Sequence, residues 1–195
     1  MHQYSEPVNR VPLLGLIAVV ALLVSISTST IFDKLGIGPP WLFSSPALAA
    51  SFGILCKLTD TRIWRWRTLR RMGLIDVPVV DGKYFGNLVS SYRKVEIPIS
   101  VEIDQTWTRI SIRLEVLEPK SSRSTSITAA VFPIGRQASG VNYSYKSMVQ
   151  PGIIGLQLGD HDGTADVTIN HITGEMTGRY YNFRGRRGTL TLIRE

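Results

Sequence analysis

Cysteine occurs once in the 195 residues, at Cys56, and histidine three times, at His2, His161 and His171. One thiol builds neither a disulfide framework nor a cysteine metal site. No histidine has a second His, Cys or acid at ligand spacing, so the three read as structural or solvent-facing, and neither metal nor cofactor is expected. Missing too are a G-x-S-x-G elbow, a Walker loop, an H-E-x-x-H helix and any acid, base and nucleophile set, so no catalytic residue is proposed and the chain reads as something other than an enzyme. Asp160, Asp162 and Asp166 gather around His161 and Gly163. They lack the further acid of a calcium loop and read as a solvated turn.

Charge is absent from most of the first third. Val11 to Ile31 carries none, and neither does Pro40 to Cys56. A hydrocarbon core about 30 Å thick takes roughly 20 helical residues, and only a helix or a closed barrel satisfies its own backbone there. The first stretch meets that length; the second holds Pro46 and reaches it by including Leu58 and the stem of Lys57. Gly36, Gly38 and Pro39 break the helix between them. The expectation is a membrane hairpin in residues 1–71, with spans at about 11–31 and 40–58, a basic collar, and a separate domain in 72–195. A cleaved signal would place a small-residue site just after the first stretch, whereas Ala47-Leu48-Ala49 lies inside the second. Two core helices of a soluble protein would carry a polar stripe, and these do not. On the second span, Ser44, Ser45, Pro46, Ala47, Ala49, Ala50, Ser51 and Gly53 make a face suited to close helix packing.

The formal net charge of +7 is unevenly placed. Residues 57–71 hold six bases (Lys57, Arg62, Arg65, Arg67, Arg70, Arg71) and one acid, Asp60, a net of +5, while residues 72–195 hold 14 bases and 12 acids, a net of +2. The excess belongs to the collar, where each base near anionic lipid is worth about 1 kcal/mol. A polymeric nucleic-acid partner thereby loses its main support. The positive-inside rule puts both termini and the second domain in the cytoplasm of a multi-pass protein, with Trp41, Trp64 and Trp66 as interface aromatics.

Helical periodicity is lacking after residue 80, and a period of two replaces it. Val95, Ile97, Ile99, Val101 and Ile103 alternate with polar residues, as do Ile110, Ile112, Leu114 and Val116. Pro98 predicts a bulge or irregular edge. Further strands are expected at 82–91, 125–132, 140–147, 152–158, 165–172, 175–183 and 189–194. Turn signals separate them at 118–122, Gly135, 150–152, Asp162-Gly163, Thr173-Gly174 and 184–186. Eight or nine short strands at this spacing indicate a sandwich or a barrel, and a run of hairpins without a long crossover favours the closed antiparallel eight-stranded up-and-down barrel, which hides its edges. The fold class is therefore an α-helical membrane hairpin plus an all-β barrel.

The strands carry Tyr84, Arg109, Tyr143, Tyr145, Arg179, Tyr180, Tyr181, Asn182 and Arg186. Aromatic faces stack on bases, guanidinium forks grip phosphates and amides read base edges, so an interior drawn from these residues suits a compact, anionic, base-containing ligand. Gly178, Tyr180 and Asn182 share one face while Arg179 and Tyr181 share the other, so both sets cannot line one cavity. The rival is a tethered lipocalin-like carrier of a lipid or other apolar molecule.

Two amino-terminal spans, a basic junction and a β-rich domain ending in G-R-Y-Y-N-F-R-G-R-R-G-T-L-T-L-I-R resemble the two-transmembrane, β-strand-rich effectors of bacterial cyclic-oligonucleotide-based antiphage signalling (CBASS). Gly178-Arg179-Tyr180, Gly82-Lys83-Tyr84 and the closing strand Arg187 to Leu192 carry the likeness. It implies an eight-stranded receptor for a cyclic dinucleotide, self-association on binding, and spans that disrupt the inner membrane bilayer and kill the infected cell.

Overall fold

The computed structural model describes residues 1–5, 9–36, 40–91, 96–118, 122–149 and 159–195, with the side chains of 40–44 excepted. The expected helix break at Gly38 and Pro39, Val95, the turns at 119–121 and 150–152, the strand at 152–158, and the side chains of Trp41 and Ser44 lie outside the described residues.

Two compact units form, one of Met1–Pro7 with Val77–Glu195 and one of Val8–Asp76. In the second, α1 (Val11–Lys34) and α2 (Pro40–Thr61) pack on each other. Leu13, Ile17, Ala21 and Ser25 recur every fourth position and form the buried face of α1, while Val19, Leu22, Leu23 and Ile26 stay exposed. The uncovered face is thus the more apolar one, as in a helix solvated by lipid. Ser27, Thr28 and Thr30 turn their hydroxyls back onto the carbonyls of Leu23, Val24 and Ile26 at 2.8–2.9 Å, which satisfies these three hydroxyls within the helix. Among the described residues α1 is the one helix long and apolar enough to cross a bilayer.

After α2 come a 3-10 turn (Ile63–Arg65) and the short α3 (Arg67–Arg71). Trp64 does not sit out in an interfacial belt: it is fully buried, and the guanidinium carbons of Arg65 and Arg70 lie 5.5 and 6.0 Å from its ring centroid. The indole face gives the collar's cations an apolar seat, a better use of the ring than exposure. Trp66 remains exposed.

The other unit is a closed antiparallel barrel. A two-residue strand β1 (His2–Gln3) precedes eight long ones: β2 (Gly82–Ser90), β3 (Glu96–Gln105), β4 (Arg109–Val116), β5 (Ser122–Ile134), β6 (Ala138–Val149), β7 (His161–Asn170), β8 (Glu175–Asn182) and β9 (Arg187–Arg194). Each of the eight pairs with its neighbours in sequence, and β9 returns to β2 from Tyr84↔Arg194 to Ser90↔Gly188. The seam between β4 and β5 is short, running from Arg113↔Thr125 to Glu115↔Arg123.

Alternation along the strands sends Tyr84, Ile99, Val101, Ile103, Ile110, Ile112, Val141, Val167, Ile169, Met176, Leu190 and Leu192 into one core. Most of the aliphatic members occupy the lower half, the end at Gly82, Gln105 and Arg194. Gln105 closes that end: its amide oxygen accepts from the Val80 N–H at 2.8 Å, and its amide nitrogen donates to the carbonyl of Pro78 at 2.8 Å and the hydroxyl of Tyr4 at 3.0 Å. Pro98 makes no bulge. The β2–β3 register runs unbroken through Asn87↔Pro98. Its carbonyl accepts from Leu117 just past the last registered β3–β4 pair, Ile99↔Val116, so the missing N–H falls where the ladder ends. The irregularity lies instead in β5, between Ser126 and Thr128.

Candidate ligand-binding site

The upper end, where β2, β4, β6 and β8 finish, carries the polar part of the inner wall. Tyr143, Tyr145 and Ser147 of β6 point inward and are buried, as are Ser124 and Ser126 of β5 and Tyr180 of β8. The Tyr143 and Tyr145 rings stand 6.2 Å apart at 52°, and His161 meets Tyr145 edge-on at 6.4 Å. Tyr143 and Tyr180 both stand opposite Ala165 of β7, which completes a tyrosine triad on the two strands that flank β7.

Small residues make room for it. Tyr145 is paired with Gly163 and Tyr180 with Gly188. A Cβ at Gly163 would stand 2.5 Å from the Tyr145 hydroxyl, and one at Gly188 would stand 2.5 Å from a Tyr180 ring carbon. Each ring therefore lies over the bare backbone of the facing strand, along the wall of the barrel. The expected turn at Asp162-Gly163 is for this reason a stretch of β7. Glycine serves there to admit a ring, and the strand starts at His161.

Burial sets the chemistry of the triad. It pushes the pKa of Tyr143 far above the ordinary phenol value, helped by neighbouring Tyr145; it does the same to Tyr145, helped by Tyr180. Both stay neutral at any physiological pH, each able to donate and accept a hydrogen bond while offering a π face.

The other sequence candidates divide. Asn182 lies at the same end, but its side-chain oxygen accepts from the N–H groups of Arg184 and Arg186 at 3.1 and 2.9 Å, holding the β8–β9 turn. Arg186 is half-buried in that turn, beside Arg184 and Arg187, and Asp160 and Asp162 at the start of β7 lie at the same end, where the Arg184 guanidinium donates to the Asp160 carbonyl at 3.5 Å. Tyr84 is fully buried at the lower end and donates to the carbonyl of Val80 at 3.0 Å. Burial, offset by Arg194 and assisted by Asp81, raises its pKa. Arg109 is exposed at the lower end, and Arg179 and Tyr181 are exposed on the outer face of β8, with Arg179 opposite Asp166. Strand parity puts Arg179 and Tyr181 outside once Tyr180 is inside, and Arg109 outside once Ile110 is inside, so none of the three joins the triad.

Sequence reasoning passed over Ser124, Ser126, Ser147 and His161 as inner-wall residues. The signal was there: each lies an even number of positions from a tyrosine or another buried residue of its strand. The three aspartates are spread out rather than clustered, with Asp160 accepting from the Val149 N–H at 3.2 Å and Asp166 facing Arg179.

An eight-stranded meander with a packed lower half and an aromatic, hydroxyl-rich upper end beside an arginine-bearing turn is a receptor-type barrel, suited to a polar ligand with flat rings. Residues 75–194 match the family described as Cap15, cyclic dinucleotide receptor domain, and the chain belongs to that family. It is a CBASS-type cyclic dinucleotide sensing domain behind an apolar helix. No curated protein matches the chain.

Proposed function

We propose that this protein is a membrane-anchored effector of antiphage defence, whose barrel binds a cyclic dinucleotide at the end lined by Tyr143, Tyr145 and Tyr180. Binding there drives self-association, and the spans then disrupt the inner membrane. The gathering of three tyrosines at the end that carries the Arg184–Arg187 turn supports this site. Neutral phenols stack on and hydrogen-bond to bases, while the phosphates lie toward Arg184, Arg186 and Arg187.

Two crossings are supported by parity. His2 and Gln3 pair with β4, and Tyr4 bridges Ala129 of β5, so Met1–Pro7 and Val77–Glu195, which flank the helical segment, belong to one folded unit and share one side of a bilayer. A chain that crosses through α1 must return, and α2, at 22 residues and about 33 Å, is long enough to carry it. The basic collar after α2 puts that shared side in the cytoplasm.

A ligand drives assembly only through higher affinity for the assembled form. The test is the full chain reconstituted in dye-loaded vesicles and challenged with a panel of cyclic dinucleotides, linear dinucleotides and fatty acids. Leakage and a rise in oligomer mass with a cyclic dinucleotide alone are expected. Binding of fatty acids alone would instead support the lipocalin-like carrier and overturn the proposal.

A further inference from the structure

The amino-terminal residues lie in the barrel wall. Below Arg113, β4 has no registered partner on β5, and the chain's own start fills the gap: His2 pairs with Ile110 and Gln3 with Arg109 on one side, while Tyr4 bridges Ala129 on the other. The Ser5 N–H donates to the carbonyl of Ala129 at 2.9 Å, and the Tyr4 hydroxyl donates to the carbonyl of Thr106 at 2.8 Å. A two-residue strand resting on so few bonds is a low-stability element, whereas the strand edges it covers are extensive. The barrel is thus a closed sheet with a strand-wide slot in it, held shut by a guest.

The slot and the tyrosine end meet at one residue. The Ser126 hydroxyl oxygen lies 2.8 Å from His2 Nε2 and accepts from the Ile112 N–H at 2.9 Å. Ser126 also stands directly opposite Tyr145, next to the irregularity in β5. Its hydroxyl has one donor and two acceptor sites, and the contacts to Ile112 and His2 take up most of that capacity. His2 Nδ1 lies 2.9 Å from the Gln3 carbonyl and donates to it, which in the neutral ring leaves Nε2 to accept the Ser126 proton; a hydrogen-bond acceptor brought in beside Tyr145 takes that proton only at the expense of His2.

We infer that the slot between β4 and β5 is a strand-binding site occupied by the chain's own His2–Tyr4, and that a ligand seated against Tyr145 competes with this occupant through Ser126. The coupling rests on the proposed ligand site; the slot does not. Because the same segment leads into α1, which begins at Val11, displacing it frees the chain that enters the membrane helix. Receptor occupancy then changes the tethering of the helix without any movement of the core. By reciprocity, a latch that cannot leave weakens the ligand.

The test is a reversible lock. Gln3 and Arg109 are exposed cross-strand partners, at a Cα separation of about 4.5–5.5 Å that a disulfide spans. The full chain carrying Gln3→Cys, Arg109→Cys and Cys56→Ser, in lipid nanodiscs, is titrated with the cyclic dinucleotide panel in oxidised and reduced forms. The disulfide is expected to form, and the oxidised protein to bind its cyclic dinucleotide about tenfold more weakly than the same protein reduced. The chain with Gln3→Cys and Cys56→Ser alone should bind equally in both conditions. Failure of the disulfide to form overturns the slot; equal or tighter binding when locked overturns the coupling. Binding by neither form, nor by the wild-type chain, overturns the ligand site itself and the coupling with it.

Discussion

At the scale of single residues, what stands across from each tyrosine decides whether its ring can lie in the wall. Gly163→Val places branched carbons where the Tyr145 phenol lies; the ring must leave the wall, at a cost of about 1–3 kcal/mol in stability. A lower melting temperature with loss of cyclic dinucleotide binding is expected, whereas Arg136→Ala, in the exposed β5–β6 turn at the other end of the barrel, should leave binding intact. The raised pKa values of Tyr143 and Tyr145 make a second prediction. Unfolded tyrosine ionises near pH 10, but the buried pair holds its protons beyond that. Above this pH the unfolded state binds fewer protons than the folded one, so stability falls as pH rises, and a melting series from pH 8 to 11 should be level at first and then decline. A spectrophotometric titration should show these phenols ionising only on unfolding. The sequence makes the tyrosines legible as a set and shows that Tyr180 and Arg179 face opposite ways. Which face is inside is not legible, because a period of two specifies alternation and leaves its sense to the closure of the barrel. Asp162-Gly163 was opaque for a related reason: Asp-Gly is a strong turn signal, and the ring that claims this glycine is supplied from β6.

At the scale of elements, the lower end and the helix pair carry the predictions. Gln105→Leu removes the amide that serves the Val80 N–H and the Pro78 carbonyl and contacts the Tyr4 hydroxyl, leaving buried backbone groups unpaired at about 1–3 kcal/mol each. The melt should drop, and hydrogen exchange should rise first at Val80 and along the slot. In the helical unit, Ala47 and Ser51 are partly covered, while Pro46, Ala49, Ala50 and Gly53 stay exposed on α2. Joint replacement of Ala49 and Gly53 by leucine should reduce ligand-triggered leakage and, by the same linkage, lower the apparent ligand affinity; unaltered leakage would remove this face from the assembly. Long apolar runs and long alternating runs were both readable, which is why α1 and β3 to β9 stand close to where periodicity put them. The strand β1 was not readable. Two residues carry no periodic signal, and their partners in β4 lie more than a hundred positions away, so nothing local marks His2 and Gln3 as wall rather than tail. Trp64 is a similar case: a tryptophan beside a span reads as an interface anchor, and its cover of arginines is visible only in the fold.

At the scale of the whole molecule, the proposed pair of crossings predicts that the residues before α1 and the carboxyl terminus lie on one side of the membrane. Single cysteines at position 5 and at position 195, in a Cys56→Ser background, should react with an impermeant maleimide from the same side of intact or inverted membranes. Labelling from opposite sides would leave α1 as the one span and detach His2–Tyr4 from the barrel. The central claim, that the tyrosine end receives a cyclic dinucleotide, is tested most directly by calorimetric titration of the full chain in nanodiscs, wild type beside Tyr145→Phe and Tyr180→Ala. Saturable binding of a cyclic dinucleotide is predicted, weakened by added salt, reduced by Tyr145→Phe and lost with Tyr180→Ala while both variants still melt cooperatively. Undiminished binding in folded Tyr180→Ala, or no cyclic dinucleotide bound by the wild-type chain, would contradict it.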